Sequence, residues 1–364
     1  MAAYAVDIVR AVSGLATRQR GYLAAVAAIV AVAGGLNYGG AGDLLVFGVS
    51  ALALGGVAWV VSFGTEELGA RLPPGPTGLL QSTLGNLPEL FVVLFALREG
   101  QVVVAQTSIL GSIFANALLV LGVTLVIGAR RSEGGIMRFG TRLPTDTTTL
   151  LLVTTFVIAI VGISIASDDR AANNVNEISV IASVVLLFVY FAWVIPFARN
   201  ARPNEEGEHE EPKTSLAFTL VLLALAGVAA AFVSEWFVGA LEPAIKQLGV
   251  SEAFAGLVIV AIAGNAVENV TAFVLAAKGK NDLAISVVKN SVAQIAAFLF
   301  PLLVLISQFF EHTLTFSIQP VYIGALLLTA LALWQITGDG EAAAFEGWAL
   351  TGLYVILGAL TLFE

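Results

Sequence analysis

Apolar residues in this chain occur in long runs, and short polar stretches separate one run from the next. Each run is about 20 residues long, the length that an α-helix needs to cross a hydrocarbon core about 30 Å thick. Because lipid offers the backbone no hydrogen-bond partner, such runs predict helices. We predict eleven spans, near residues 21–37, 43–63, 77–98, 102–128, 147–167, 178–198, 215–235, 252–277, 282–308, 318–336 and 346–363.

The composition supports an all-α polytopic membrane protein. Apolar residues make up 58% of the chain and charged residues 12%, whereas charged residues are about a quarter of an average soluble protein. Much of the net charge of −9 lies in one loop, so it does not indicate a nucleic-acid partner. The chain has no Cys, and its two His are His209 and His312. This excludes a thiolate site, disfavours softer metals such as zinc, and leads us to expect no resident cofactor.

The distribution of Lys and Arg predicts the orientation. With eleven spans the termini lie on opposite sides, and most basic residues fall in segments on the N-terminal side. The other side holds Arg98, Arg170 and Lys246, and Lys289 lies within a span. By the positive-inside rule the N-terminus is cytoplasmic and the C-terminus outside. We expect an integral, multi-pass protein of a prokaryotic plasma membrane.

The two halves of the chain resemble each other. GNLPE from Gly85 and GNAVE from Gly264 are offset by 179 residues, and the same offset relates Ser112 to Ser291. Each copy would contain five helices, an odd number, so the second would be inverted relative to the first. Inverted repeats are typical of alternating-access transporters. The predicted divisions are an extra N-terminal helix (1–42), the first repeat (43–198), an acidic cytoplasmic linker (199–214) and the second repeat (215–364).

The repeats carry a pair of deeply placed carboxylates, Glu89 and Glu268, each about 15–18 Å along its predicted span. Charged side chains at such depth are costly and usually line an ion path. Carboxylate oxygens are hard ligands of the kind that calcium prefers. Without the cation, desolvation and like-charge repulsion favour protonation. A site that holds either a divalent cation or protons is an exchanger by competition.

Glycines and polar residues accompany these carboxylates. Gly85 and Gly264 are expected to loosen the helix and expose carbonyl oxygens, although close helix packing is an alternative role. Asn86 and Asn265 follow these glycines, and their side chains either coordinate an ion or form hydrogen bonds between helices. The following spans carry polar stripes that we interpret as the opposing wall of the site: Ser108, Ser112 and Asn116, and then Ser286, Asn290 and Gln294.

Two further glutamates are predicted to end their spans. Glu66 follows Thr65 near the end of the second span, and Glu235 follows Ser234 near the end of the seventh. They either lead ions to the centre from opposite faces or are solvated interfacial charges. The linker has five Glu within residues 205–211, which indicates a solvated connection or a regulatory loop.

At these residues the chain resembles the calcium/cation antiporter superfamily, specifically its calcium/proton exchanger (CAX) branch. The paired GNxxE motifs, GSIFANALLVLG in the first half and NSVAQIAAFLFPLLVL in the second carry the resemblance, which covers about residues 43–363. It implies a ten-helix core and ion coordination by Glu89 and Glu268. It also implies assistance from Asn86, Asn265, Ser112, Ser291 and Gln294.

Three departures from that family's pattern occur, one of them at a pair of residues. Asn269 stands where the family usually has His, and Pro88 replaces a small polar residue. Lys289-Asn290 replaces an apolar residue and Gly. The Lys289 ammonium either extends to the cytoplasmic interface or lies near Glu268, where it would weaken divalent binding.

We therefore predict a secondary antiporter that exchanges calcium for protons by alternating access. The alternative is an antiporter for sodium, another monovalent cation or manganese on the same scaffold. A channel would not need mirrored titratable carboxylates, and the chain lacks a His-x-x-x-His pair for an intramembrane metalloprotease, so we expect no enzyme. Calcium, protons and membrane lipid are the expected partners, and assembly into a homo-oligomer is left open.

Overall fold

The computed structural model describes residues 17–71, 84–200, 212 and 214–364. In this part of the chain the short strands β1 (Ile136–Arg138) and β2 (Glu341–Ala343) accompany a series of helices. The helices are α1 (Thr17–Tyr38), α2 (Asp43–Gly69), α3 (Leu87–Arg98), α4 (Val102–Arg131), α5 (Arg142–Ala166), α6 (Val175–Asn200), α7 (Leu216–Leu248), α8 (Glu252–Gly264), α9 (Ala266–Ala277), α10 (Asn281–Ser307), α11 (Pro320–Thr337) and α12 (Ala344–Leu362).

Most of these helices are long and apolar enough to cross a membrane. Within the described ranges nine helices meet that condition alone, and α8 with α9 forms one further span bent by 59°. They coincide with ten of the predicted stretches. The remaining stretch, 77–98, lies partly outside the described residues and is represented by α3. The count of eleven spans therefore stays a prediction.

A first unit contains the described residues up to Phe95 together with Ala192–Gly249. Its centre is the packing of α2 against α7, where the rings of Phe47 and Phe237 stack with centroids 4.8 Å apart. Gly64 leaves room for the Leu223 side chain, since a Cβ there would lie 2.7 Å from it. Close packing of these apolar side chains holds α2 against α7.

A second unit contains Ala96–Phe191 and Val250–Glu364. Here α4 crosses α8, α12 packs along α4, and α5 packs against both α10 and α11. The strands β1 and β2 form an antiparallel pair in which Met137 lies opposite Ala342. This pair connects the segment after α4 to the segment before α12.

The predicted offset of 179 residues reappears in the local structure. It relates the bounds of α3 to those of α9 and the first residue of α4 to the first residue of α10. Gly100 and Gly279, which precede α4 and α10, have positive φ angles of 74° and 73°. Both helices also contain a π-helical segment, Ala115–Val120 in α4 and Ile295–Leu299 in α10. The two segments of sequence thus fold alike locally.

Candidate functional site

The bend between α8 and α9 places a carboxylate at the start of a helix. The first helix ends at Gly264, Asn265 has non-helical angles (φ −94°, ψ 14°), and α9 begins at the next residue. Glu268 lies in the first turn of α9, where the unpaired backbone N–H groups favour a negative charge. Its Oε2 atom is buried and accepts no hydrogen bond from the described residues.

Asn265 connects this break to α4 through two side-chain hydrogen bonds, and a third holds its side chain to the end of α8. Its Nδ2 donates to Ser112 Oγ at 2.8 Å and to the Ala261 carbonyl oxygen at 2.9 Å. Its Oδ1 accepts from Asn116 Nδ2 at 2.7 Å. Asn116 also donates to the Ser112 carbonyl oxygen at 3.0 Å. Asn265 and Asn116 are both fully buried, so the network fixes α4 against the bend.

Small residues make this approach of the two helices possible. A Cβ on Gly111 would collide with the backbone of Leu257, and a Cβ on Gly256 would collide with the Thr107 side chain. Glycine at such positions lets helix backbones come together closely in a membrane protein. Ser112 directly follows Gly111, so the tight crossing brings its hydroxyl to Asn265.

Several oxygen atoms in the second unit remain available to a cation. Asn116 Oδ1, Asn269 Oδ1 and Asn290 Oδ1 are buried and, like Glu268 Oε2, accept nothing from the described residues. They lie on α4, α9 and α10, which pack against one another. Buried acceptors are normally satisfied, and a set of unsatisfied hard oxygens suits a cation such as calcium.

The first unit contains the matching carboxylate. The turn at Gly85 and Asn86 precedes α3, and Glu89 lies in the first turn of that helix. Both Asn86 and Glu89 are buried, with exposed fractions of 5% and 8%. The local arrangement of turn, Asn and helix-starting Glu is therefore the same as at Gly264, Asn265 and Glu268.

The polar stripe of α10 is also largely shielded. Ser291 is buried, whereas Asn290 and Gln294 are half-buried. The π-helical segment begins directly after Gln294, and π-helical turns frequently mark functional positions. The corresponding segment of α4 begins at Ala115, next to Asn116.

Comparison with known proteins identifies the family that carries these motifs. The family model described as "Sodium/calcium exchanger protein" matches residues 43–198 and 218–363. This chain belongs to that family. The match covers both halves of the chain and leaves out the N-terminal segment and the linker between them.

Individual members of the exchanger family are similar over most of this chain. The "Ca(2+)/H(+) antiporter" of Synechocystis sp. is 31% identical over 87% of this chain and 91% of its own length. The "Ca(2+)/H(+) antiporter ChaA" of Bacillus subtilis is 32% identical over 86% of this chain and 90% of its own. The crystal structure of the selenium-substituted Ca²⁺/H⁺ antiporter protein YfkE matches with a TM-score of 0.78 and 25% identity, covering 95% of this chain and all of that one.

Within this exchanger fold, the two outer glutamates differ from each other in position. Glu66 is exposed and lies near the end of α2, as predicted. Glu235 is exposed too, but α7 continues to Leu248. The prediction that Glu235 ends its span is wrong, because the apolar pattern resumes after it and includes the buried residues Phe237 and Leu241.

Glu67, the neighbour of Glu66, is a buried residue that the sequence pattern does not single out. Its side chain is only 7% exposed, and Oε2 accepts from the backbone N and the hydroxyl of Thr214 at 3.0 and 2.8 Å. Arg71 donates to the carbonyl oxygens of Glu67 and Thr214. These contacts join the end of α2 to the residues before α7, and no local signal distinguished Glu67 from Glu66.

Lys289 occupies neither of the two predicted positions. Its side chain is 1% exposed, so it does not extend to an interface. Nζ donates to Thr148 Oγ1 at 2.6 Å and to Thr337 Oγ1 at 3.3 Å rather than to Glu268. The prediction of an interfacial ammonium is wrong, and a direct contact with Glu268 is absent among the described residues, because threonine hydroxyls that could not be placed from sequence lie within reach of the ammonium.

Asn116 and Asn269 also gain importance in the structure. The sequence places Asn116 in a polar stripe, but its contact with Asn265 joins residues 149 positions apart in sequence. Asn269, which departs from the family pattern, is buried, and its side-chain oxygen accepts no hydrogen bond from the described residues. The sequence signal that points to Asn116 is its position about one helical turn after Ser112, on the same face of α4.

Proposed function

We propose that this protein is a multi-pass membrane antiporter that exchanges calcium for protons. The observation that carries the proposal is the buried Glu268 Oε2 at a helix break, on a helix packed against α4 and α10, which carry buried amide oxygens without donors in the described part of the chain. Membership of the exchanger family and the similarity to proteins named Ca²⁺/H⁺ antiporters support it.

The oxygens suit a divalent cation in a specific way. Glu268 supplies a full negative charge, and Asn116 and Asn290 supply neutral carbonyl oxygens of the type that calcium accepts. Asn265 has its side-chain oxygen occupied by Asn116. We therefore assign Asn265 a positioning role and Asn116 a binding role, with Ser112 and Ser291 as hydroxyl neighbours.

Proton exchange follows from the same carboxylates. When calcium leaves, a buried carboxylate loses its counter-charge, and protonation relieves the cost of the isolated charge. Protonation in turn removes the charge that attracts calcium. Calcium and protons then exclude each other from the site, which couples their movements in opposite directions.

We further propose that Glu89 acts together with Glu268 as the second ion-binding carboxylate. The shared 179-residue offset of the helix bounds supports a repeated architecture. In this proposal the protein has eleven spans, with two inverted five-helix repeats after an extra first helix. The distribution of basic residues favours a cytoplasmic N-terminus and an external C-terminus.

The monovalent alternative depends on Lys289 acting as a tethered cation in contact with Glu268. The ammonium instead bonds Thr148 and Thr337, so this contact does not support a monovalent cation. Calcium is the better assignment, since the relatives from Synechocystis sp. and Bacillus subtilis are both named Ca²⁺/H⁺ antiporters.

The test is ion flux in proteoliposomes that contain the purified protein. Calcium, sodium, potassium and manganese are each offered against a pH gradient, with a fluorescent dye reporting lumenal pH. We expect calcium to dissipate the gradient and sodium and potassium to leave it intact. Proton movement driven by sodium but not by calcium would contradict the proposed exchange.

A further inference from the structure

Lys289 is a buried cation whose contacts lie entirely within the second unit. Nζ donates to Thr148 of α5 and Thr337 of α11 at 2.6 and 3.3 Å, and Lys289 itself belongs to α10. Thr148 and Thr337 are 2% and 1% exposed. One ammonium thus joins three helices in the interior of the protein.

The two threonines are arranged as acceptors. Thr148 Oγ1 donates its own proton to the Pro144 carbonyl oxygen at 2.7 Å, and Thr337 Oγ1 donates to the Leu333 carbonyl oxygen at 2.7 Å. With their protons committed to their own helices, both hydroxyls present lone pairs to Nζ. In the ammonium clamp, as we call Lys289 with Thr148 and Thr337, both hydroxyls therefore act as acceptors for two of the N–H groups of Nζ.

Stability of the fold does not explain this lysine. In the first copy of the repeated segment, the position 179 residues earlier holds Leu110, which is 1% exposed. A buried apolar residue thus serves at the corresponding place in α4. In general, replacing a buried charged group with an apolar one is often neutral or stabilising, whereas buried polar contacts can select one arrangement of helices.

The clamp lies next to the polar stripe of α10. At 3.6 residues per turn, Asn290 and Ser291 point about 100° and 200° around the helix from Lys289. Holding the ammonium on one side therefore sets the direction of the oxygens on the other. The π-helical segment from Ile295 follows closely, and such segments allow a helix to bend, so the orientation of the preceding turns depends on their own contacts.

We propose that Lys289 is a positioning residue for ion binding, which acts by fixing the rotation of α10 and hence the positions of Asn290 and Ser291. This inference rests on the proposed calcium/proton exchange. It also reverses the sign of an expected effect: a lysine near Glu268 would weaken calcium binding, whereas the clamp strengthens it. Removing Lys289 should therefore lower the affinity for calcium.

The experiment measures the KM and maximal rate of calcium uptake driven by a pH gradient in proteoliposomes. Lys289→Leu copies the residue of the first repeat and is expected to raise KM about tenfold, roughly the effect of losing one hydrogen bond to a charged group. The maximal rate and the thermal midpoint should remain close to those of the parent. Thr148→Val, which removes an acceptor of Nζ, should raise KM in the same direction, and Thr148→Ser, which retains the hydroxyl, should not.

A double variant separates the clamp from unrelated packing effects. Because both changes break one contact, Lys289→Leu with Thr148→Val should raise KM no further than Lys289→Leu alone. The matched control is Thr149→Val, since Thr149 is exposed on the same helix and bonds only to the Thr145 carbonyl oxygen among the described residues; its KM should equal that of the parent.

Each outcome decides whether Lys289 positions the ion-binding oxygens of α10. An unchanged or lowered KM for Lys289→Leu, or additive effects in the double variant, would overturn the positioning role while leaving calcium exchange intact. If Lys289→Leu fails to insert, Thr148→Val alone decides by the same KM criterion. Parent protein that moves no calcium would instead overturn the proposed function and this inference with it.

Discussion

Asn116 donates a 2.7 Å hydrogen bond from Nδ2 to Oδ1 of Asn265. The bond occupies the Asn265 oxygen and leaves Asn116 Oδ1 buried without a donor in the described chain. It also joins the middle of α4 to the break before α9, within reach of the turn that carries Glu268. The hydrogen bond between the two amides thereby decides which of the two residues offers its oxygen to an ion.

Replacing Asn116 by Leu should weaken calcium binding. The change keeps the approximate volume but removes the free oxygen and the bond to Asn265, so we expect the KM for calcium to rise at least about tenfold. Calcium uptake by proteoliposomes measures it. Thr124→Val on the same helix is the control and should behave as the parent; a similar loss in both variants would show that general packing, rather than the Asn116 oxygen, is responsible.

Glu268→Gln and Glu89→Gln should each abolish exchange. Gln preserves shape but provides neither the negative charge that binds calcium nor a carboxylate that takes up a proton. The measurement is calcium-driven proton flux, with circular dichroism and size-exclusion profiles to verify folding. Glu177→Gln, an exposed residue in the first turn of α6, is the control. Near-normal flux in either site variant would refute the assignment of that carboxylate.

Apparent calcium affinity should fall as pH falls. Protonation removes the charge on a site carboxylate, so protons compete with calcium more strongly at lower pH. Competition by one proton lowers affinity up to about tenfold per pH unit, and competition by two protons up to about a hundredfold. Calorimetric titration between about pH 5.5 and 8 measures the slope. An affinity independent of pH over this range would rule out a shared site.

Deletion of Glu205–Glu211 should leave transport intact and alter at most its regulation. These residues belong to the predicted linker, outside both family-matched stretches. They also lie outside the described part of the structure. Calcium uptake by the deletion variant is compared with that of the parent, and protein in which these seven positions are replaced by a Gly/Ser sequence controls for length. Complete loss of uptake in a folded deletion variant would show that the linker is part of the transport machinery.

Much of this protein was predictable from its sequence, because lipid imposes a strong local rule. A backbone without solvent must satisfy its own hydrogen bonds, so apolar runs of sufficient length became helices. The repeated GNxxE motifs likewise located the breaks, since the turns at Gly85 and Gly264 precede Glu89 and Glu268 in the structure. The exchanger family followed from the same residues and is confirmed by the family match.

Only the tertiary structure decided which side chains meet. Lys289 found two threonines from other helices, Glu67 rather than Glu66 became buried, and α7 continued past Glu235. The pairing of Asn116 with Asn265 depends on a crossing that glycines permit. Sequence periodicity describes one helix at a time, whereas each of these contacts depends on the rotation and separation of two helices, which are set by the packing of distant segments.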